Sequence, residues 1–263
     1  MTRHLDAPLA ALMREVAETV VLPRYQHLGQ GDVIDKAVDD LVTIADTEAE
    51  ARLTEALARI MPEAAIVGEE AAHADPAVLD RMSGLCWIID PIDGTNNFAA
   101  GRPPFGIMIA LAEAGEAIAG WIYDPLRQRL CCAHKAQGAY IDGERVTART
   151  TGAEPPVAAI SVVFLDGEER ARIAAQVAPH YTLVDIPRCA AEQYPRIITG
   201  VNDVSIFGRT YAWDHAAGVL LVNEAGGFAA RPDGRAYRVD EDRVPGLVAA
   251  SSPAHWDALV ARL

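Results

Sequence analysis

The stretch Trp87-Ile88-Ile89-Asp90-Pro91-Ile92-Asp93-Gly94-Thr95 decides how this chain is read. Cys86 to Ile89 are apolar and β-prone, which predicts a buried strand. The strand ends on the carboxylate of Asp90, Pro91 is expected to stop its ladder, and Asp93 follows. Gly94 and Thr95 then turn the chain and open a helix. Such a corner sets two acids beside unpaired backbone amides. Carboxylates there gather a hard cation such as Mg²⁺, and the amides of Gly94 and Thr95 hold phosphate oxygens. In isolation Asp-Pro-x-Asp-Gly is also ordinary turn chemistry, so the phosphoryl reading needs further acids to converge.

Working outward, Pro8 to Val21 has helical apolar spacing ended by Pro23, and Ala45 to Ile60 is a second amphipathic helix. Gly29-Gln30-Gly31-Asp32 reads as a turn. Ile66-Val67 is a short strand running into Gly68-Glu69-Glu70. After the central corner, Ile107–Leu111 and Ile118–Tyr123 form a hairpin about Ala114-Gly115. Arg129–Ala133 and Ala139–Ile141 follow, the latter turning at Asp142-Gly143. The Thr-, Gly- and Pro-rich stretch Thr147–Pro156 is the expected boundary between two lobes, one to about residue 150 and one over 151–263. Beyond it come strands at Ala159–Phe164, Thr182–Ile186 and Asp203–Ile206, and helices at Glu168–Val177 and between the last two strands. An apolar helix over Ala216–Ala225 ends at Gly226-Gly227, and the strand Leu247–Ala250 precedes a C-terminal helix. Strands and helices interleave with antiparallel hairpins, which predicts a mixed α/β class with layered sheets.

The 263 residues, 51 % of them hydrophobic, suffice for a large buried core. The 23 basic and 37 acidic residues give a net charge of −14. That surface repels nucleic acid and anionic membranes, so neither is an expected partner. It repels phosphate esters too, so a phosphate-handling site here needs metal cations to reverse the local field. Cys86, Cys131, Cys132 and Cys189 make no C-x-x-C pair and read as buried free thiols of a cytoplasmic protein. The N-terminal residues meet charge too often for a signal peptide, and no run reaches membrane-spanning length.

Three further acids match the corner in chemistry: Glu69 at a strand end, Asp214 before an apolar helix, and Asp46 at a helix start. Each alone has a plain reading, as a solvated turn or a helix cap. Their joint order does not. Asp90-Pro91-Ile92-Asp93-Gly94-Thr95-Asn96-Asn97-Phe98, with Gly68-Glu69-Glu70 before it and Trp213-Asp214-His215-Ala216-Ala217-Gly218 after it, resembles the inositol monophosphatase family. Lys36 with Asp40–Asp46, Gly138–Gly143 and Glu224–Gly227 match as well.

The resemblance implies a layered α-β-α-β-α sandwich of the inositol monophosphatase and fructose-1,6-bisphosphatase type, forming one domain over the chain. It implies Mg²⁺-dependent hydrolysis of a small-molecule phosphate monoester, two or three ions, inhibition by Li⁺ and a homodimer. By position, Glu69, Asp90 and the Ile92 carbonyl hold one ion and Asp90, Asp93 and Asp214 a second. Thr95, bonded to Asp46, helps Glu69 orient and activate the attacking water. The implied substrate contacts are Asp93, Gly94, Thr95, Arg188, Ala190, Phe207 and Asp214. Two of these depart from an inositol enzyme. Phe207 stands where such enzymes place a Glu for sugar hydroxyls, and suits a flat or apolar group instead. Arg188 opens Arg188-Cys189-Ala190-Ala191 in place of the usual Gly-Ser/Thr-Ala-Ala, where a guanidinium engages a second phosphate or carboxylate, or else points to solvent or pairs with an acid such as Glu192. The expected ester is therefore other than inositol phosphate; histidinol phosphate, a sugar bisphosphate and a nucleotide 3′,5′-bisphosphate are the candidates. The rival from another class is a regulatory protein that kept the fold and lost catalysis.

Overall fold

The computed structural model describes residues 2–29, 31–37, 40–162, 165–241 and 244–263. Gln30 of the expected turn, Val163 and Phe164 of the expected strand, and the side chain of Lys36 lie outside the described residues.

Helix α1 (Asp6–Val16), continued by a wider turn over Ala17–Val21, packs with α2 (Ile44–Ile60). Between them is a hairpin of β1 (Val33–Ala37) and β2 (Asp40–Thr43). The main sheet has seven strands in sequential order: β3 (Ala65–Gly68), β4 (Leu85–Asp93), β5 (Gly106–Glu113), β6 (Glu116–Asp124), β7 (Arg129–His134), β8 (Gly138–Ile141) and β9 (Glu144–Val146). Only β3 and β4 run parallel; a short helix α3 (Glu69–Ala74) lies in their connection, and α4 (Thr95–Ala99) follows β4. The loops at Ala114-Gly115 and Asp142-Gly143 have positive φ at both residues, as two-residue hairpins require.

The second sheet has the order β11-β10-β12-β14-β13, built from β10 (Val157–Ile160), β11 (Thr182–Val184), β12 (Val204–Phe207), β13 (Phe228–Ala230) and β14 (Leu247–Ala250). Its helices are α5 (Gly167–Arg172), α6 (Ala190–Ile198), α7 (Ala212–Glu224) and α8 (Pro253–Val260).

Alternation along the strands sets the layers. Trp87, Ile89, Ile109 and Trp121 face α1 and α2, while Cys86, Ile88, Met108 and Ile122 face α6 and α7. Leu247 and Ala249 close that central layer from the other sheet, and Val248 and Ala250 face outward to Trp256 and Leu259 of α8. The result is the expected α-β-α-β-α sandwich. All four cysteines are buried and free, and among the described residues no helix is long and apolar enough to cross a membrane.

Candidate active site

Pro91 does not end the strand. β4 continues to Asp93, with Asp90 opposite Met108 and Asp93 opposite Gly106, so β4 holds one residue more than β5 over this interval. The proline lacks an amide to donate, and the sheet accommodates it as a bulge. The bulge has a consequence for the acids. Residues three apart on a regular strand point to opposite faces; the extra residue brings Asp90 and Asp93 to the same side. Gly94 then takes φ +84°, a left-handed turn that a side chain there would strain, and α4 begins at Thr95.

Asp214 joins them from α7. Its helix starts at Ala212, earlier than the sequence pattern suggests, so Asp214 lies in the first turn rather than capping it. One carboxylate oxygen from each of Asp90, Asp93 and Asp214 lies within 4.8 Å of the others. Glu69, the first residue of α3, lines the same cleft.

Helix α2 supports the corner from the opposite layer. Thr43 caps it, and Asp46 returns the favour: Asp46 Oδ2 accepts from the Thr43 amide at 2.8 Å and hydroxyl at 2.5 Å. Asp46 therefore is part of the helix cap, and it is also the expected Thr95 partner. Thr95 Oγ1 has two acceptors, Ile92 O at 2.8 Å and Asp46 Oδ1 at 3.2 Å. From the second half of the chain, the start of α6 takes hold of Asp93, whose Oδ2 accepts the Ala191 amide at 2.6 Å. One acid thus belongs both to the corner and to the joint between sheets.

The electrostatics of this cluster are unfavourable without cations. Burial, then Glu69, Asp93, Asp214 and Asp46, push Asp90 well above the usual carboxylate range. Burial and the neighbouring acids raise Asp214 as well, opposed in part by Arg209. Asp93 is pushed up to about 6 by burial, held back by bonds from Cys189 and Ala191. Asp46 is pushed up to about 7, again mainly by burial. A set of oxygen donors without His or Cys, mutually repelling and partly buried, fits a hard divalent ion such as Mg²⁺ rather than Zn²⁺.

The inositol monophosphatase family model matches residues 3–263, nearly the whole chain. The chain belongs to that family. It is thereby an enzyme of the phosphoric monoester hydrolase class. An inositol-1-monophosphatase of Bacillus subtilis is 33 % identical over 203 residues, covering 76 % of this chain and 75 % of its own. A protein named Nus factor SuhB from Xylella fastidiosa is 32 % identical over 233 residues, covering 85 % and 82 %. Among solved structures, the Thermotoga maritima IMPase matches with a TM-score of 0.81 at 25 % identity, over 100 % of this chain and 96 % of that one.

Within this inositol monophosphatase fold, the cleft that holds the acids is also lined by Ser161, Phe207 and Arg209 at the ends of β10 and β12, and by Arg188 and Ala190 at the start of α6. Arg188 is exposed, and its backbone takes φ +53°, an uncommon conformation for a residue with a side chain. Glu192, four residues on, accepts from Arg127, Arg129 and Arg196. Phe207 lines the cleft but has one face stacked on Tyr194, with ring centroids 5.1 Å apart. His215 is a buried support. Its Nε2 donates to the Arg209 carbonyl at 2.9 Å, so Nδ1 accepts from the Tyr194 hydroxyl at 2.7 Å, and burial lowers it to about 3.

Sequence reasoning missed Arg209 and Glu50. Arg209 lies two residues after Phe207 and becomes visible as a cleft residue only once β12 is known to end there. Glu50 lies in the second turn of α2, where charged residues recur and solvent exposure is the ordinary reading; it is buried.

Proposed function

We propose that this chain hydrolyses a small-molecule phosphate monoester carrying a second anionic group, in preference to inositol phosphate. The observation that carries the chemistry is the convergence of Asp90, Asp93 and Asp214 to within 4.8 Å in a cleft that Glu69 and Thr95 also line. In this reading Glu69, Asp90 and the Ile92 carbonyl hold one Mg²⁺, and Asp90, Asp93 and Asp214 hold another. Mg²⁺, when bound, neutralises phosphoryl oxygens and acidifies water.

The residues themselves do the positioning. Ionised Asp46 draws the Thr95 hydroxyl proton, leaving Oγ1 a lone pair with which to orient the attacking water. The Glu69 carboxylate takes that water's proton. The first amides of the corner, Gly94 and Thr95, receive phosphate oxygens. Water adds to phosphorus opposite the ester oxygen as the ester P–O bond breaks; the departing oxygen takes a proton from solvent and Glu69 returns its own to solvent, leaving an alcohol and inorganic phosphate.

Selectivity follows from the lining residues beyond the acids. Arg188 and Arg209 line the cleft, and Phe207 presents apolar surface where a cyclitol needs an acceptor. A phosphate-release panel tests this: inositol 1-phosphate, histidinol phosphate, fructose 1,6-bisphosphate and a nucleoside 3′,5′-bisphosphate, each with and without LiCl. Esters with a second anion turn over best and Li⁺ inhibits; inositol 1-phosphate as the best substrate overturns the assignment. The Nus factor name of the Xylella relative points to a second reading, a regulatory role, which the retained acid set argues against as the sole one. A homodimer in the cytoplasm completes the proposal, and sedimentation velocity reads the former.

A further inference from the structure

The proposed mechanism leaves a buried acid beside Glu69 without a role. Glu50 lies one turn beyond Asp46 on α2, and its carboxylate is fully engaged. Oε2 accepts the Glu70 amide at 2.8 Å and Oε1 the Ala71 amide at 2.9 Å. These amides follow Glu69 directly. On the other side of Glu69, Gly68 is paired in the sheet with Ile89. Gly68 also touches the same carboxylate: a Cβ on it would lie 2.3 Å from the Glu50 carboxyl carbon.

An ordinary helix start uses the side chain of its own N-cap to receive these amides. Here the N-cap is Gly68, which has none, and the acceptor comes from a different helix. A local cap would hold α3 together but leave it free to shift against α2. The Glu50 clamp instead ties the backbone around Glu69 to the helix that carries Asp46, and through Asp46 to Thr95. Glu69 and Thr95 are the two groups assigned to the attacking water.

We propose that Glu50 is a positioning residue that fixes Glu69 relative to the Asp46–Thr95 pair by clamping the first amides of α3 to α2. The proposal rests on the phosphatase reading above. It predicts that Glu50 affects turnover and cation affinity, and leaves ester binding nearly alone, because the substrate wall is built elsewhere.

The test compares Glu50→Ala, Glu50→Gln and Glu69→Gln in the full chain. The readouts are kcat and KM on the best ester of the panel, the Mg²⁺ half-saturation, and Mn²⁺ affinity by calorimetry without ester. Glu50→Ala lowers kcat by about 10–100-fold and weakens Mn²⁺ affinity, with KM within about 2-fold. Glu50→Gln recovers part of both, because its carbonyl oxygen still accepts one amide; it also stands in if the alanine variant does not fold. Wild-type kcat and Mn²⁺ affinity in Glu50→Ala overturn the proposal. So does a loss of kcat that follows the melting temperature alone, with no change in Mn²⁺ affinity and no gain in the glutamine variant. If Glu69→Gln keeps wild-type turnover, the phosphatase assignment itself fails and takes this inference with it; Glu69→Gln inactive beside a normal Glu50→Ala sinks only the inference.

Discussion

Gly120→Ala perturbs the site from a distance and by a calculable amount. Gly120 is in β6, where α7 crosses the seven-stranded sheet, and an added Cβ would lie 2.7 Å from Ala217 Cα and 3.0 Å from its Cβ. Carbon atoms in contact prefer about 3.5–4.0 Å, so α7 must retreat by about 1 Å, and neither opposing atom can move aside by a rotamer change. Asp214 lies three residues before Ala217 on the same helix and moves with it. Overpacking of this kind costs about 1–3 kcal/mol, which lowers the melting temperature by about 2–10 °C in a chain of this size. A misplacement of about 1 Å in a reacting constellation costs on the order of 100-fold in rate. The assay is kcat/KM for phosphate release, with Mg²⁺ titrated at each ester concentration and temperature held well below unfolding. Gly167→Ala is the control, since nothing lies within 4 Å of its added Cβ. A folded Gly120→Ala enzyme with wild-type kcat/KM and Mg²⁺ requirement refutes the claim that α7 docking sets the position of Asp214.

Acid pH stabilises the metal-free protein. Burial raises Asp46 from 3.8 to about 7, Glu50 from 4.5 to about 7 and Asp93 from 3.8 to about 6. The folded state thus binds more protons than the unfolded one between about pH 4 and 7, and this contribution to stability, full below pH 4, is lost as pH rises through 7. Thermal melts in EDTA should fall in midpoint from pH 5 to pH 8, with Mg²⁺ restoring the loss; a midpoint that climbs over that range contradicts the assignment. Arg188→Ala and Arg209→Ala should each raise KM for a bisphosphate by about 10–100-fold, the loss of one charge-assisted contact, and leave a singly anionic ester nearly unchanged. Equal effects on both ester types would remove the selectivity argument.

Much of the fold was legible because local chemistry and packing agree. The Ile107–Leu111 and Ile118–Tyr123 strands are apolar on both faces, and Ala114-Gly115 accepts the positive φ that their hairpin needs. Elements without that agreement were missed. The hairpin of β1 and β2 mixes charged with apolar residues, β9 is Glu-Arg-Val on a sheet edge, and β13 is only three residues long. In sequence Pro91 signals a stop because a proline weakens any ladder, yet the pairing on both sides of it outweighs that loss. In the site, the acids were visible through their ordered motifs. The support of Glu69 was not, because Glu50 finds its amides twenty residues on, and no local pattern marks that pairing. Phe207 was legible as an aromatic at the substrate end, but its stack on Tyr194 depends on how α6 lies against β12.

The central claim is that Asp90, Asp93 and Asp214 form one cation-dependent phosphoryl site. Inorganic phosphate release from the best ester, titrated with Mg²⁺ in wild type, Asp90→Asn and Asp214→Asn, tests it most directly. The expected result is no release in EDTA, a saturable rise with Mg²⁺, and a fall of more than about 100-fold in either folded variant. Release that persists in EDTA, or variants that turn over at the wild-type rate, would contradict it.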